Sequence, residues 1–193
     1  DGPGADGQPL GGFYLDPYAR ANKRSGAWMD DCVGRKSLAS GAAVPVAYLV
    51  CNALPGAPGQ PAQLTHDDVV TLFHEFGHAL HGLLSDVTWP SVSGTSVSRD
   101  FVELPSQLYE HWFEQPDVLR KFALHYKTGE PMPEEMLTKL LKARTFNQGC
   151  ATLEYVSSAL VDLELHSLDN AERLDVSAFE RATLDKLGMP EEI

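Results

Sequence analysis

Basic tracts, paired cysteines and long apolar runs are all missing from this 193-residue sequence, and each gap closes off a class of function. Acidic residues outnumber basic ones 27 to 15, a formal charge of -12, so the attraction to a phosphate backbone is missing and nucleic acid is not expected as a partner. No apolar stretch approaches the ~20 residues of a membrane-spanning helix. The opening DGPGADGQPLGG lacks the charged and apolar segments of a secretory signal. The chain therefore reads as soluble, unexported and cytoplasmic, with no membrane partner. Cys32, Cys51 and Cys150 are odd in number and widely spaced, which argues against a disulfide framework or a cysteine zinc cluster. They read as buried small apolar residues in a reducing compartment. Asp1 in place of Met makes the chain a processed product or a piece of something longer.

What is present is an ordinary globular composition, 43% hydrophobic and 22% charged, read as a single domain over 1–193. The predicted fold class is mainly α (α+β), with a small β region over 10–54 and a helical region over 65–193. Two β-like runs, Leu10 to Asp16 and Val44 to Leu54, flank a loop rich in Gly, Ser and Lys. The Pro/Gly-rich PGAPGQPAQ then interrupts regular structure. Thr65 and Asp68 form a capping-box pattern that starts a helix running to about Leu84. After a loop over Ser91 to Ser98, a second helix is expected from Asp100 to Gln115, bent at Pro105. Further helices are predicted over Asp117 to Lys127, over Pro133 to Leu168 with a break near Asn147 to Gly149, and over Val176 to Leu187.

The first helix carries TLFHEFGHALHGLLS. At 100° per residue with His74 at zero, Val69, Leu72, Phe73, Phe76, Leu80 and Leu83 fall between about 160° and 260°, while His74, His78 and His81 fall within about 40° of zero. Lone histidines are usually hydrogen-bonded structural residues, and His66, His111, His125 and His166 read that way. His74 and His78 differ, because imidazoles at i and i+4 project side by side and reach one Zn²⁺ at ~2.0 to 2.1 Å. Glu75, turned about 100° away, suits a general base beside the metal rather than a ligand. Gly77 costs ~1 kcal/mol against Ala in a helix interior, so it predicts close approach by another backbone.

Two histidines leave a catalytic zinc site short of a third protein ligand. His81 lies on the right face but two turns along the axis. The strongest candidate is Glu103 in DFVELPSQLYEHW, where Asp100, Glu103, Gln107, Glu110 and Glu114 make one polar face and Phe101, Val102, Leu104, Leu108, Tyr109, Trp112 and Phe113 the apolar one. Asp100 and Glu110 are both candidates to hold a ligating imidazole from behind.

FHEFGHALH followed by GTSVSRDFVELPSQLYEHW closely resembles the zinc peptidase family of thimet oligopeptidase, neurolysin, oligopeptidase A and bacterial peptidyl-dipeptidase Dcp, and FYLDPYAR, GAWM and FNQGCATLEYVSSALVDLELH extend the likeness across nearly the whole chain. The resemblance implies a helical, zincin-like catalytic core with Zn²⁺ on His74, His78 and Glu103 and Glu75 as general base. It implies hydrolysis of short peptides, with DFVELPSQLYEHWF and FALHYKTGEPMP closer to the peptidyl-dipeptidase pattern of releasing C-terminal dipeptides than to thimet oligopeptidase. Internal cleavage of oligopeptides is the rival within the enzyme class, and a non-catalytic zinc-binding fragment is the rival outside it. The strand Val44 to Cys51 is read either as a plain core strand or as the edge that aligns a peptide. Family members continue past the equivalent of Ile193 into a Gly/Tyr-rich segment that stabilises the oxyanion, and they carry a large helical region before Asp1. The chain is therefore expected to be a truncated core, weak alone, with self-association through apolar surface exposed by truncation.

Overall fold

Residues 7, 9–38, 41–170 and 172–190 are described by the computed structural model used here. Two compact units succeed one another, the first ending at Met132 and the second starting at Pro133.

The first unit opens with five strands, β1 (Gly12–Tyr18), β2 (Trp28–Val33), β3 (Lys36–Leu38), β4 (Gly41–Ala43) and β5 (Val46–Ala53). A three-stranded sheet has the order β1-β5-β2, with β1 parallel to β5 and β2 antiparallel to it, and β3 and β4 make a separate hairpin. The β1 and β5 strands correspond to the two runs expected from sequence. The remaining three lie in what read as loop, because Asp30, Asp31, Gly41 and Lys36 have low β-propensity and pairing with β5, not local preference, makes β2 a strand. Pro17 falls where the β1 register slips, a position where the missing N–H does least harm. β5 is the central strand, so the peptide-aligning role considered for Val44 to Cys51 fails: both of its edges are already paired, and it is the core strand.

Helix α1 (His66–Leu83) crosses this sheet. Its start is the expected capping box, with Thr65 Oγ1 accepting from the Asp68 N–H at 3.1 Å and Asp68 Oδ2 accepting from the Thr65 N–H at 2.9 Å. Ala79 and Leu83 close the core on Ala47 and Leu49, with Met29 and Phe76 against them. Of the predicted stripe only Leu83 is buried, while Val69, Leu72, Phe73, Phe76 and Leu80 are half-buried. The other buried positions are Glu75 and the small residues Gly77, Ala79 and Gly82, which let the sheet and a second helix approach closely.

That second helix, α2 (Leu104–Phe113), begins later than expected. Asp100 to Val102 form a turn, Glu103 is the residue before the first helical turn, and Pro105 sits inside that turn without bending it. A proline there forfeits an N–H that has no helical partner anyway. Phe73 of α1 stacks on Tyr109 and packs tilted against Phe113 of α2, with ring centres 5.3 and 4.8 Å apart. On the outer side Leu104, Leu108 and Trp112 are exposed, so only part of the predicted apolar face is buried. Helix α3 (Pro116–Phe122) also stops short of Lys127, because the chain turns back: the His125 N–H donates to the Glu130 carbonyl at 2.8 Å and Gly129 takes φ +72°.

The second unit holds α4 (Glu134–Ala143), α5 (Gln148–His166) and α6 (Val176–Lys186). The predicted break falls at Asn147, in the left-handed region at φ 54°. Thr183 on α6 is buried and donates to Glu164 of α5 at 3.2 Å. Of the cysteines only Cys51 is buried. Cys32 and Cys150 are exposed, since β2 is an edge strand and α5 buries only Ser157 among its residues. No helix among the described residues is long and apolar enough to cross a membrane.

Candidate metal centre

Successive turns of α1 set His74 and His78 side by side, their ring centres 4.9 Å apart. The N-terminal start of α2 brings Glu103 across to them. Glu103 Oε2 lies 3.3 Å from His74 Nε2 and 3.1 Å from His78 Nε2, and the three candidate ligand atoms are all within 4.8 Å of one another. His81 is not part of this set, and among the described residues no other group of three His, Cys, Asp or Glu residues has metal-holding geometry. Its ring instead meets Phe101, 6.1 Å between centres.

Electrostatics favour a cation at the point of convergence. Glu110 Oε1 accepts from His74 Nδ1 at 2.6 Å, which turns Nε2 toward the Glu103 carboxylate. Burial, its largest influence, pushes His78 below the ordinary imidazole range, and Glu103 pulls the other way. Two imidazole nitrogens and a carboxylate oxygen thus converge, a donor set suited to a divalent metal. Of the two candidates for the supporting carboxylate, Glu110 has the contact.

Glu75 sits on the sheet side of the pair and is buried, 6% exposed. Burial raises its carboxyl above the usual range. His74 opposes that shift, the nearby Glu103 charge adds to it, and the Met29 backbone N–H of β2 stabilises the charged form. A carboxyl so held gains a proton more readily than an exposed one, as an acid–base group requires.

The remaining histidines have ordinary partners: His66 faces Glu114 at 3.6 Å, His125 meets Thr128 at 3.1 Å and His166 contacts the Asp162 carbonyl at 2.9 Å. His111 approaches Glu114 at 3.9 Å. Two contributors escaped the sequence reading. One is the Met29 N–H, invisible because any residue supplies a backbone donor. The other is Ser106, whose Oγ lies 2.9 Å from Glu103 Oε2; its signal was a serine three residues after the candidate ligand, at the start of a helix.

Gly77 marks where the two helices touch. A Cβ there would lie 2.6 Å from Ser106 Cα and 2.7 Å from the Pro105 carbonyl oxygen, so the expected backbone approach is present and belongs to α2.

A family model described as Peptidase family M3 matches residues 4–189. Oligopeptidase A of Escherichia coli (strain K12) is 50% identical over 159 residues, which cover 81% of this chain and 23% of that protein. Dipeptidyl carboxypeptidase of the same strain is 45% identical over 180 residues, 93% of this chain and 26% of that protein. A thimet-like oligopeptidase of Dictyostelium discoideum is 40% identical over 161 residues, 82% and 24% of the two. The chain therefore spans about a quarter of the length of these curated relatives. With its HEFGH helix, its Glu103 and a match running over nearly its whole length, the chain belongs to peptidase family M3.

Proposed function

We propose that this chain carries the zinc centre and the acid–base residue of an enzyme that hydrolyses peptide bonds in short peptides, with His74, His78 and Glu103 as ligands and Glu75 as catalytic residue. Membership of this metallopeptidase family implies a metal. The observation that carries the reading is the meeting of three ligand atoms within 4.8 Å beside the buried Glu75. A zinc ion held there supplies Lewis acidity to a scissile carbonyl and lowers the pKa of a water toward ~7. Glu75 accepts the proton of the attacking water and delivers it to the departing amine. The Met29 N–H keeps the Glu75 carboxyl oriented. Glu110 holds the His74 ring so that Nε2 points at the site. β2 is an edge strand, unpaired on its outer side among the described residues, and an extended peptide adding to that edge would lie beside Glu75.

Release of C-terminal dipeptides is the finer proposal, with internal cleavage as its rival. Relatives named for each mode match, oligopeptidase A at the higher identity and dipeptidyl carboxypeptidase over more of the chain. The cytoplasm is the proposed compartment, in keeping with three free cysteines. Self-association through Leu104, Leu108 and Trp112 belongs to the same proposal, and light scattering of a monomer at all concentrations would refute it.

The chain is expected to bind one zinc per molecule by equilibrium dialysis and to cleave a short peptide only with zinc present. Failure to bind zinc ends the reading. A C-terminally blocked peptide that is cut as fast as the free one rules out dipeptide release. Glu110→Gln is expected to weaken zinc binding ~10- to 100-fold in chelator competition, since the imidazole it orients loses a charged acceptor. Unchanged affinity would remove Glu110 from the site.

A further inference from the structure

We propose that Ser106 is a positioning residue that aims the Glu103 carboxylate at the two imidazoles. This deepens the reading of His74, His78 and Glu103 as metal ligands and rests on it. Ser106 is fully buried, and its Oγ lies 2.9 Å from both the Glu103 carbonyl oxygen and Glu103 Oε2. A hydroxyl has one proton to donate, and the charged carboxylate is the stronger of the two acceptors. The same Oε2 is the oxygen that faces His74 Nε2 at 3.3 Å and His78 Nε2 at 3.1 Å. Ser106 therefore grips the atom that matters.

Glu103 needs that grip more than the histidines do. His78 is mostly enclosed, and His74 is held from behind by Glu110. The Glu103 side chain is 49% exposed and lies ahead of the first turn of α2, with no helical neighbour on its N-terminal side to pack it. Fixing a free glutamate side chain costs rotamer entropy, which a metal would otherwise have to overcome on binding. Among the described residues, Ser106 is its side-chain partner other than the imidazoles. Ser106 is in turn closely packed, its Cα lying where a Cβ at Gly77 would come within 2.6 Å of it. Helix crossing and ligand aim are thus one construction: the backbone contact locates Ser106, and Ser106 locates the carboxylate.

Zinc alone is the probe, on the full 193-residue chain. Ser106→Ala is expected to weaken zinc binding about 10-fold by chelator competition, with circular dichroism and the metal-free melting temperature close to the parent's. In a Glu103→Ala background the same substitution is expected to change zinc affinity by less than about twofold, since the acceptor is gone. An equal loss in both backgrounds would mean Ser106 acts on packing alone and would overturn the proposal. So would full zinc affinity in Ser106→Ala. If the Ala variant does not fold, Ser106→Gly, which also removes the hydroxyl and adds no metal ligand, must bind zinc more weakly than the parent or the proposal falls. A parent chain that binds no zinc instead overturns the ligand reading itself, which separates the two failures.

Discussion

Glu75→Gln is expected to lower peptide cleavage by a factor of ~10² to 10⁴ while zinc content stays at the parent's level. The amide keeps the shape of the carboxyl and can still accept from the Met29 N–H, but it cannot take a proton from water. Zinc should remain because Glu75 is not among the three converging ligand atoms. Stability gives an independent check. Burial disfavours the charged carboxyl in the folded chain, so at neutral pH a neutral side chain should leave the metal-free melting temperature equal or higher. Under the rival reading, in which a metal merely pins α1 to α2, no rate changes at all. Parent-like cleavage by the Gln variant would therefore remove Glu75 from the chemistry, and loss of zinc would make it a ligand.

Gly77→Ala is expected to destabilise the chain and weaken zinc binding together. Two effects oppose each other. Alanine in a helix interior gains ~1 kcal/mol over glycine. Against that, the added Cβ would sit 2.6 Å from Ser106 Cα, 2.7 Å from the Pro105 carbonyl oxygen and 3.0 Å from the Ser106 nitrogen. All three are backbone atoms, which cannot swing aside as a flexible side chain would, and overpacking of this kind typically costs 1–3 kcal/mol. The clash should win, by up to about 2 kcal/mol net in urea denaturation. Zinc binding should suffer more than stability does, because the displaced segment carries Glu103 and Ser106. A variant that melts above the parent and binds zinc normally would show that the helices separate without consequence for the site.

The legible parts of this molecule are those in which cause and effect lie within a few residues. Thr65 and Asp68 announce the start of α1 because both bonds of the capping box close inside one turn. His74 and His78 meet because four residues are about one turn, and Gly77 announced a neighbour because its helix cost had no local repayment. The expected start of α2 lies too early because the apolar pattern continues through Phe101 and Val102 and hides the fact that Pro105 belongs in a first turn. β2 was missed for lack of local preference, and the central place of β5 for lack of any signal of its neighbours.

The sequence by itself determined that His74 and His78 lie side by side with Glu75 turned away from them, since side-chain direction along a helix follows from its period alone, and it offered Glu103 as the candidate third ligand. Tertiary structure decided that Glu110 rather than Asp100 supports His74, that Met29 donates to Glu75, and that the Ser106 backbone comes to rest against Gly77. Those contacts depend on how far apart two helices and a sheet come to rest. That distance is set by packing many side chains at once, and no single stretch of chain encodes it.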